Sequence, residues 1–180
     1  MKYMIASDLH GSAYYCEKLL AAFDKEGCDR LIFLGDLLYH GPRNDLPAEY
    51  DTKAVAKLLN ARKDKLLCVR GNCDCEVDQM VLEFPVLADY AVLPVGEKLM
   101  YLTHGHVYNE KNPLPMAEGD ILLNGHFHVP CCRQAEGFVY MNPGSVSIPK
   151  ENSWHGYMLL EEGRFQWKDL DGQVHLEYQV

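Results

Sequence analysis

Residues that can bind a metal ion follow five short apolar segments of this chain, and most of them stand beside a glycine. They are Asp8 with His10, Asp36, Asn72, His104, and His126 with His128. An isolated Asp-x-His pair says little in a chain of this length. Seven oxygen and imidazole ligands at the ends of strand-like segments, however, are typical of a two-metal site that hydrolyses phosphate esters.

The first half of the chain alternates strand-like and helix-like segments. The predicted strands, which share a short apolar run, are residues 3–6, 31–34 and 66–69. One helix is predicted to begin after Ser12 and to end at Gly27, and a second is predicted after Asp51 or Thr52. This alternation is typical of right-handed crossovers and a parallel sheet.

Parallel sheets of this kind bind ligands beyond the carboxyl ends of their strands. Asp8, Asp36 and Asn72 follow the three predicted strands at those ends. We therefore expect their side chains to lie close together at one edge of the sheet.

The second half of the chain is richer in predicted strands. Its short apolar runs are residues 90–93, 99–102, 121–123 and 138–141. The second and third of these lead to His104 and His126, and turn dipeptides separate alternating segments near the end of the chain. The sequence predicts an α/β (α+β) fold with two packed β-sheets flanked by helices, as one domain over residues 1–180.

Composition and charge restrict the partners of the chain. Its 180 residues carry a net charge of −9, which disfavours a protein that binds long nucleic acids but allows a small phosphodiester or nucleotide. The apolar stretches are too short for a membrane span or a signal peptide. Seven cysteines, an odd number mostly within apolar runs, favour a reducing compartment, so we expect a cytoplasmic protein.

Two divalent ions need a bridging ligand, several further ligands, and free positions for water and substrate. A carboxylate suits the bridge because its negative charge offsets the repulsion between the cations, and Asp36 stands alone at its strand end. Imidazole and carboxylate ligands without thiolate suit manganese, iron, zinc or cobalt rather than copper or an iron–sulfur cluster.

Five sequence blocks together resemble the calcineurin-like metallophosphoesterase superfamily and, within it, the small YfcE-type phosphodiesterase family. The blocks are Asp8-Leu9-His10, Gly35-Asp36, Gly71-Asn72-Cys73-Asp74, His104-Gly105-His106 and Gly125-His126-Phe127-His128. The loop at residues 39–44 and the turn at residues 142–145 support the resemblance, which covers nearly the whole chain in order. It implies a four-layer α/β/β/α sandwich and a phosphodiesterase activity.

The resemblance also implies two overlapping ligand sets for two divalent metal ions. One set is Asp8, His10, Asp36 and His128, and the other is Asp36, Asn72, His104 and His126. A water or hydroxide that bridges the ions is then expected to attack phosphorus in line. Manganese is the metal that the family implies first, with zinc, iron, nickel and cobalt as alternatives.

Further residues are candidates for roles around this centre. Many members of the superfamily have, at the position of Cys73, a histidine that protonates or stabilises the leaving oxygen. A thiol is a poorer acid than imidazolium at neutral pH, so we expect good leaving groups to be preferred and alkyl monoesters to react weakly. His40 or His106 is a candidate for the missing proton donor, Arg43 for binding a phosphate oxygen, and Asp74 for orienting a ligand.

Several alternatives stay open at the level of sequence. Asp8 and Asp36 are suited to cap the turns after their strands, although five coinciding segments favour the metal site. The alternative functions are a phosphomonoesterase or protein phosphatase of the same superfamily, and a non-catalytic scaffold with this fold, as in a retromer subunit. Exposed aromatic residues near Trp154 and Trp167 are a candidate interface for a homo-oligomer.

Overall fold

Two β-sheets pack face to face in the protein, whose computed structural model describes all residues, 1–180. The first half contains β1 Tyr3–Ala6, α1 Ala13–Glu26, β2 Arg30–Phe33, α2 Thr52–Asn60, β3 Leu66–Cys68 and α3 Glu76–Val81. The second half contains β4 Tyr90–Val95, β5 Lys98–Thr103, β6 Asp120–Asn124, β7 Cys131–Gln134, β8 Phe138–Asn142, β9 Gly156–Glu161, β10 Arg164–Asp169 and β11 Val174–Gln179. A short 3-10 turn, Lys63–Lys65, precedes β3.

The first sheet has six strands in the order β11-β10-β9-β1-β2-β3. Strands β1, β2 and β3 are parallel, which confirms the prediction from the alternating first half. The last three strands of the chain join this sheet as an antiparallel meander, with β9 beside β1. The carboxyl ends of the three parallel strands therefore meet at one edge.

The second sheet has five strands in the order β4-β5-β6-β8-β7. Its three central strands are parallel to one another, and the edge strands β4 and β7 pair antiparallel with their neighbours. Both sheets are thus mixed, and each contains three adjacent parallel strands at whose carboxyl ends predicted ligands lie.

The predicted caps of the first two helices are confirmed. Ser12 Oγ accepts a hydrogen bond from the N–H of Tyr15 at 3.2 Å, and Gly27 ends α1 in the left-handed region at φ 65°. Asp51 caps α2 by accepting hydrogen bonds from two backbone N–H groups. Helix α3, which has no buried residue, was not predicted because its sequence lacks an apolar stripe.

Two large hydrophobic clusters hold the layers together. A cluster of 25 buried residues joins the first sheet to α1 and α2, and one of 15 residues fills the space between the sheets. The expected pair of packed sheets is confirmed, with helices α1 and α2 against the first sheet. On the outer face of the second sheet, a small cluster around Leu122 and Tyr140 lies under the segment between β5 and β6, which forms turns.

One expectation about the aromatic residues of the last hairpins was wrong. Trp167 is completely buried between the sheets, and its indole N–H donates to the backbone carbonyl of Asn142 at 2.6 Å. Trp154 stacks on His175 with ring centroids 4.0 Å apart. Trp167 therefore belongs to the core, because alternation in β10 directs it inward. None of the helices combines the length and apolarity that crossing a membrane requires.

Candidate metal centre

The ends of four parallel strands and the turn after β3 bring the seven predicted ligand side chains to one place. Asp8 follows β1, and its Oδ1 lies 3.1 Å from His128 Nε2 and 3.6 Å from His10 Nε2. The Nε2 atoms of His10 and His128 are 3.4 Å apart. These three side chains present their ligand atoms within 4.8 Å of one another, close enough to share a metal ion.

The remaining ligand candidates form a second group beside the first. His104 Nε2 lies 3.4 Å from Asp36 Oδ2, 3.0 Å from Asn72 Oδ1 and 3.2 Å from His126 Nδ1. The same Asp36 oxygen is 3.6 Å from His10 Nε2, in the first group. Asp36 thus lies between the two groups, where a bridging carboxylate is needed.

Backbone carbonyls fix the orientation of three of the imidazoles. The Nδ1 atoms of His10, His104 and His128 donate to the carbonyl oxygens of Tyr39, Leu34 and Ile148, at 2.9, 2.6 and 2.8 Å. A neutral imidazole that donates through Nδ1 has its lone pair on Nε2, which is the atom directed into the site. Histidines that bind metals usually donate their other ring N–H to a partner such as a backbone carbonyl in this way.

The two carboxylates are held in a corresponding way. Asp8 Oδ2 accepts from the Ser7 hydroxyl at 2.6 Å and from the His126 N–H at 2.9 Å, whereas its buried Oδ1 has no hydrogen-bond partner. Asp36 Oδ1 accepts from the Cys73 N–H at 2.8 Å, and its Oδ2 faces the histidines. A fully buried carboxylate oxygen without a donor is costly, so this donor set fits divalent cations.

Charge is strongly coupled within the cluster. Burial alone would raise the pKa of Asp8, but the neighbouring His128 and His10 outweigh it and hold that pKa well below its usual range. Burial lowers the pKa of His104, but Asp36 and Asp8 outweigh it and raise the pKa to about 9. Burial and the nearby His104 lower the pKa of His126 to about 4. The carboxylates therefore favour the protonated form of His104, and a positive charge on His104 disfavours protonation of His126.

The backbone is strained at the ligand positions. Nine residues other than glycine have positive φ angles, and five of them are ligand candidates: Asp8, His10, Asp36, His126 and His128. The left-handed region disfavours residues with a Cβ, and such strain concentrates at functional sites. The side chains at these positions therefore serve something other than the local fold.

Two glycines allow the strand ends to approach each other. A Cβ on Gly71 would collide with the Asp36 side chain, and one on Gly125 would collide with the Ser7 hydroxyl. Only a residue without a side chain fits there. This explains physically why glycine stands beside the predicted ligands.

Asp74 connects two of the ligand-bearing turns. Its carboxylate is 2% exposed and accepts hydrogen bonds from the N–H groups of Asp36, Leu37 and Gly71, at 2.8, 2.9 and 2.7 Å. Asp74 thus lies behind Asp36, hydrogen-bonded to its backbone, and does not line the cavity.

A cavity of about 390 Å³ opens over the metal-ligand side chains. Cys73 and Arg43 line it, together with Lys150 and Phe127, which were not assigned from the sequence. No pattern near residue 150 points to the site; the backbone hydrogen bond from Lys150 N–H to the His128 carbonyl, 3.0 Å long, brings it there. Burial and the Asp36 carboxylate raise the pKa of the Cys73 thiol, so the group is neutral.

Neither of the two candidate proton donors lines this cavity. The His40 ring packs edge-on between Tyr39 and Tyr50, with centroids 4.8 and 5.3 Å away, and does not line the cavity. His106 is exposed, with its ring centroid 5.4 Å from that of His104, and it does not line the cavity either. The turn at residues 142–145 does reach the site, because the Ser145 hydroxyl donates to the Asp8 carbonyl at 2.7 Å.

Comparison with known protein families identifies the arrangement. The family model described as the calcineurin-like phosphoesterase superfamily domain matches residues 1–164. The chain belongs to this superfamily. Phosphodiesterase YfcE of Escherichia coli strain K12 is 44% identical over 161 residues, which cover 89% of this chain and 88% of that protein. The probable metallophosphoesterase YsnB of Bacillus subtilis strain 168 is 26% identical over 167 residues, 89% of this chain and 83% of that protein.

Solved structures of superfamily members have the same fold. The structure of the phosphoesterase YfcE from E. coli superimposes with a TM-score of 0.96 at 39% identity and covers 100% of both chains. The chain is therefore a YfcE homologue in sequence and in structure. Vps29 from Entamoeba histolytica, complexed with Zn²⁺, has a TM-score of 0.60 at 20% identity over 99% of both chains, which shows a shared fold.

Proposed function

We propose that this chain is a metal-dependent phosphodiesterase whose two-ion centre is formed by the seven ligand side chains. The observation that carries the proposal is the orientation of these groups: three imidazoles are tied back through Nδ1, and a buried Asp8 oxygen faces the site without a donor. The homology to phosphodiesterase YfcE of E. coli supports the same activity.

The geometry supports an assignment of ligands to each ion. Asp8, His10 and His128 would hold one ion, and Asn72, His104 and His126 would hold the other, with Asp36 shared between them. Two divalent ions supply Lewis acidity toward the phosphoryl oxygens and make water a better nucleophile near neutral pH. Manganese is the metal we propose because the YfcE-type family implies it first, and the oxygen and nitrogen ligands also suit zinc, iron, nickel or cobalt.

The cationic side chains of the cavity are suited to the substrate. Arg43 and Lys150 are exposed at its wall, where they can bind non-bridging phosphate oxygens and orient the ester. A small phosphodiester or nucleotide matches a cavity of about 390 Å³ in an acidic protein.

Cys73 limits the leaving groups that the site can use. Its pKa is raised by burial and by Asp36, so the thiol keeps its proton and donates only weakly to a leaving oxygen. His40 and His106 do not line the cavity and offer little replacement. We therefore expect esters of aryl alcohols to react faster than those of alkyl alcohols.

The decisive experiment compares hydrolysis of bis(para-nitrophenyl) phosphate with that of para-nitrophenyl phosphate. Turnover is measured with added Mn²⁺, after chelation, and after Mn²⁺ is restored. The Asp36→Asn variant, which keeps the shape of the side chain and removes its charge, should lower diester turnover more than about a hundredfold, since even an outer-shell change costs 10–100-fold.

Each outcome has a distinct meaning. Diester turnover that requires both Mn²⁺ and Asp36, with little monoester turnover, supports the proposal. Comparable monoester turnover would indicate a phosphomonoesterase. Metal binding without turnover of either ester would indicate a binding or scaffold role and would contradict the proposed function.

A further inference from the structure

Phe127 occupies an unusual place between two ligand candidates. Its side chain is 46% exposed and belongs to none of the three hydrophobic clusters. Its ring meets that of His126 edge-on, with centroids 5.2 Å apart and an interplanar angle of 74°. His126 and His128 on either side have positive φ angles of 66° and 60°, so a strained turn presents this ring outward.

A second cavity adjoins the one over the ligand side chains. It has a volume of about 540 Å³, and Phe127 is the only residue that lines both cavities. Val129, Cys131 and Tyr140 contribute apolar surface to the second cavity. A group bound near His126 therefore has an aromatic face beside it and an open, partly apolar space beyond it.

Four charged residues line the second cavity, and two of them, Arg133 and Glu110, pair with each other. The guanidinium of Arg133 binds the carboxylate of Glu110 through two hydrogen bonds, 3.0 and 2.6 Å long, and lies over the Tyr140 ring at 4.7 Å. The other two, Lys111 and Glu151, carry opposite charges, so the cavity has no net positive charge to favour a second phosphate. Its walls suit a neutral, planar group with polar edges.

We propose that the second cavity binds one arm of the phosphodiester, a planar aromatic group such as a nucleobase, stacked on Phe127. This inference rests on the proposed phosphodiesterase function and adds a substrate class to it. Cys73 lies with His10 and Asp36, whereas Phe127 lies beside His126. The leaving group is accordingly assigned to the Cys73 side, and the arm on Phe127 is the one that stays on phosphorus.

The test uses three diesters with the same para-nitrophenyl leaving group and different retained arms: thymidine, phenyl and methyl. The wild-type protein, loaded with Mn²⁺, should give a higher kcat/KM for the two aromatic arms than for methyl. Phe127→Leu keeps an apolar side chain without the ring and should lower the aromatic-to-methyl ratio about tenfold, a usual loss when a base loses its aromatic platform. Phe127→Tyr keeps the ring and should keep the ratio.

A second variant probes the cavity apart from the ring. Cys131→Phe narrows the cavity floor and should lower the ratio for thymidine more than for phenyl, because the nucleoside reaches further from phosphorus. Met80→Ala is the control: Met80 is 82% exposed on α3, lines neither cavity, and its replacement should leave the ratio unchanged. Metal content is measured for every variant.

Binding without turnover gives an independent measurement. Calorimetric titration with thymidine monophosphate should show a Kd about tenfold weaker for Phe127→Leu than for the wild type, while methyl phosphate should show no such difference.

An equal loss on all three diesters, or an unchanged ratio, would overturn the assignment. Absence of turnover on every diester by the metal-loaded wild type would instead overturn the proposed function and this inference with it. If Phe127→Leu lowers only the thymidine-to-methyl ratio of kcat/KM, the retained arm is a nucleoside. If it lowers the phenyl-to-methyl ratio as well, the cavity binds any aromatic arm.

Discussion

Carboxylates lie near both ends of β1, partly buried at its start and buried at its carboxyl end, and their charge is neutralised differently at the two ends. At the start of the strand, Glu26 accepts hydrogen bonds from the ammonium groups of Lys168 at 2.7 Å and Lys2 at 3.4 Å. The Tyr157 hydroxyl adds a third donor at 3.2 Å. The charge at this end is compensated by the chain itself.

At the carboxyl end, no lysine or arginine compensates the charge. Asp8 and Asp36 form ion pairs only with histidines, and the Asp8 Oδ1 atom that faces these rings accepts no hydrogen bond. A neutral imidazole has a lone pair to donate to a metal ion, whereas an ammonium group has none. A site whose carboxylates face imidazoles and not ammonium groups therefore gains most from an added cation. Buried carboxylates whose charge is not balanced by a lysine or arginine of the chain therefore indicate where an external cation binds.

The largest effect that tests this contrast is stabilisation by metal. Mn²⁺ at a hundred times its Kd should stabilise the folded state by about 2.7 kcal/mol, which raises the Tm by about 5–10 °C in a chain of this size. Asp8→Asn should abolish most of this shift, because it removes the charge of the unpartnered carboxylate. Differential scanning calorimetry with and without a chelator measures both values.

Glu26→Gln supplies the matched control at the other end of β1. It removes a carboxylate of α1 that lies near the other end of this strand, and it should keep the full Mn²⁺-dependent shift in Tm. If Glu26→Gln and Asp8→Asn lost the shift equally, the distinction between the two ends would be wrong.

We expect an effect of intermediate size from replacing Asp74. Its carboxylate is hydrogen-bonded only to neutral backbone N–H groups, so its surroundings differ from those of both Glu26 and Asp8. Asp74→Asn brings an amide N–H against one of three backbone N–H donors and should lower metal affinity or kcat/KM about 10–100-fold. Metal titration and diester hydrolysis measure the change, with the exposed Asp45→Asn as control. Unchanged metal affinity and rate would show that Asp74 does not position Asp36.

The smallest effect concerns pH at the compensated end. Burial alone would raise the pKa of Glu26, but Lys168 and Lys2 outweigh it and hold the pKa below its ordinary value of 4.5. A carboxyl group with a lowered folded-state pKa stabilises the protein above its unfolded-state pKa, and this contribution is lost as the pH falls through the folded-state value.

Glu26→Gln should therefore lower the free energy of unfolding by about 1 kcal/mol or less near pH 7, and the difference should shrink below pH 4.5. Urea denaturation of both proteins at a series of pH values measures it. A difference that grew as the pH fell would contradict the assigned direction of the pKa.

The sequence predicts the segments that end at the site because strand ends and ligands are local features. The first strand is predicted and observed at residues 3–6, and the second is shifted by one residue, from 31–34 to Arg30–Phe33. Because parallel strands end at the same edge of a sheet, ligands that are far apart in the sequence then lie close together.

Contacts between distant segments could not be predicted in the same way. Lys150 reaches the cavity through a loop packed on His128, which no local pattern encodes. The alternating apolar residues of β11 predict a buried face, yet Val174 and Leu176 are 39% and 37% exposed, since β11 is an edge strand. Strand order, and with it the exposure of an edge, is set by the whole fold.

The left-handed backbone at five ligand residues has a consequence for protein engineering. Glycine or asparagine would relieve the strain at Asp8, His10, Asp36, His126 and His128, so a search for thermostable variants guided by backbone geometry would select these positions first. Such variants would melt at higher temperature in the absence of metal and would have lost the groups that bind it. Thermostability screens on this scaffold should therefore be run with metal present and with turnover as a second criterion.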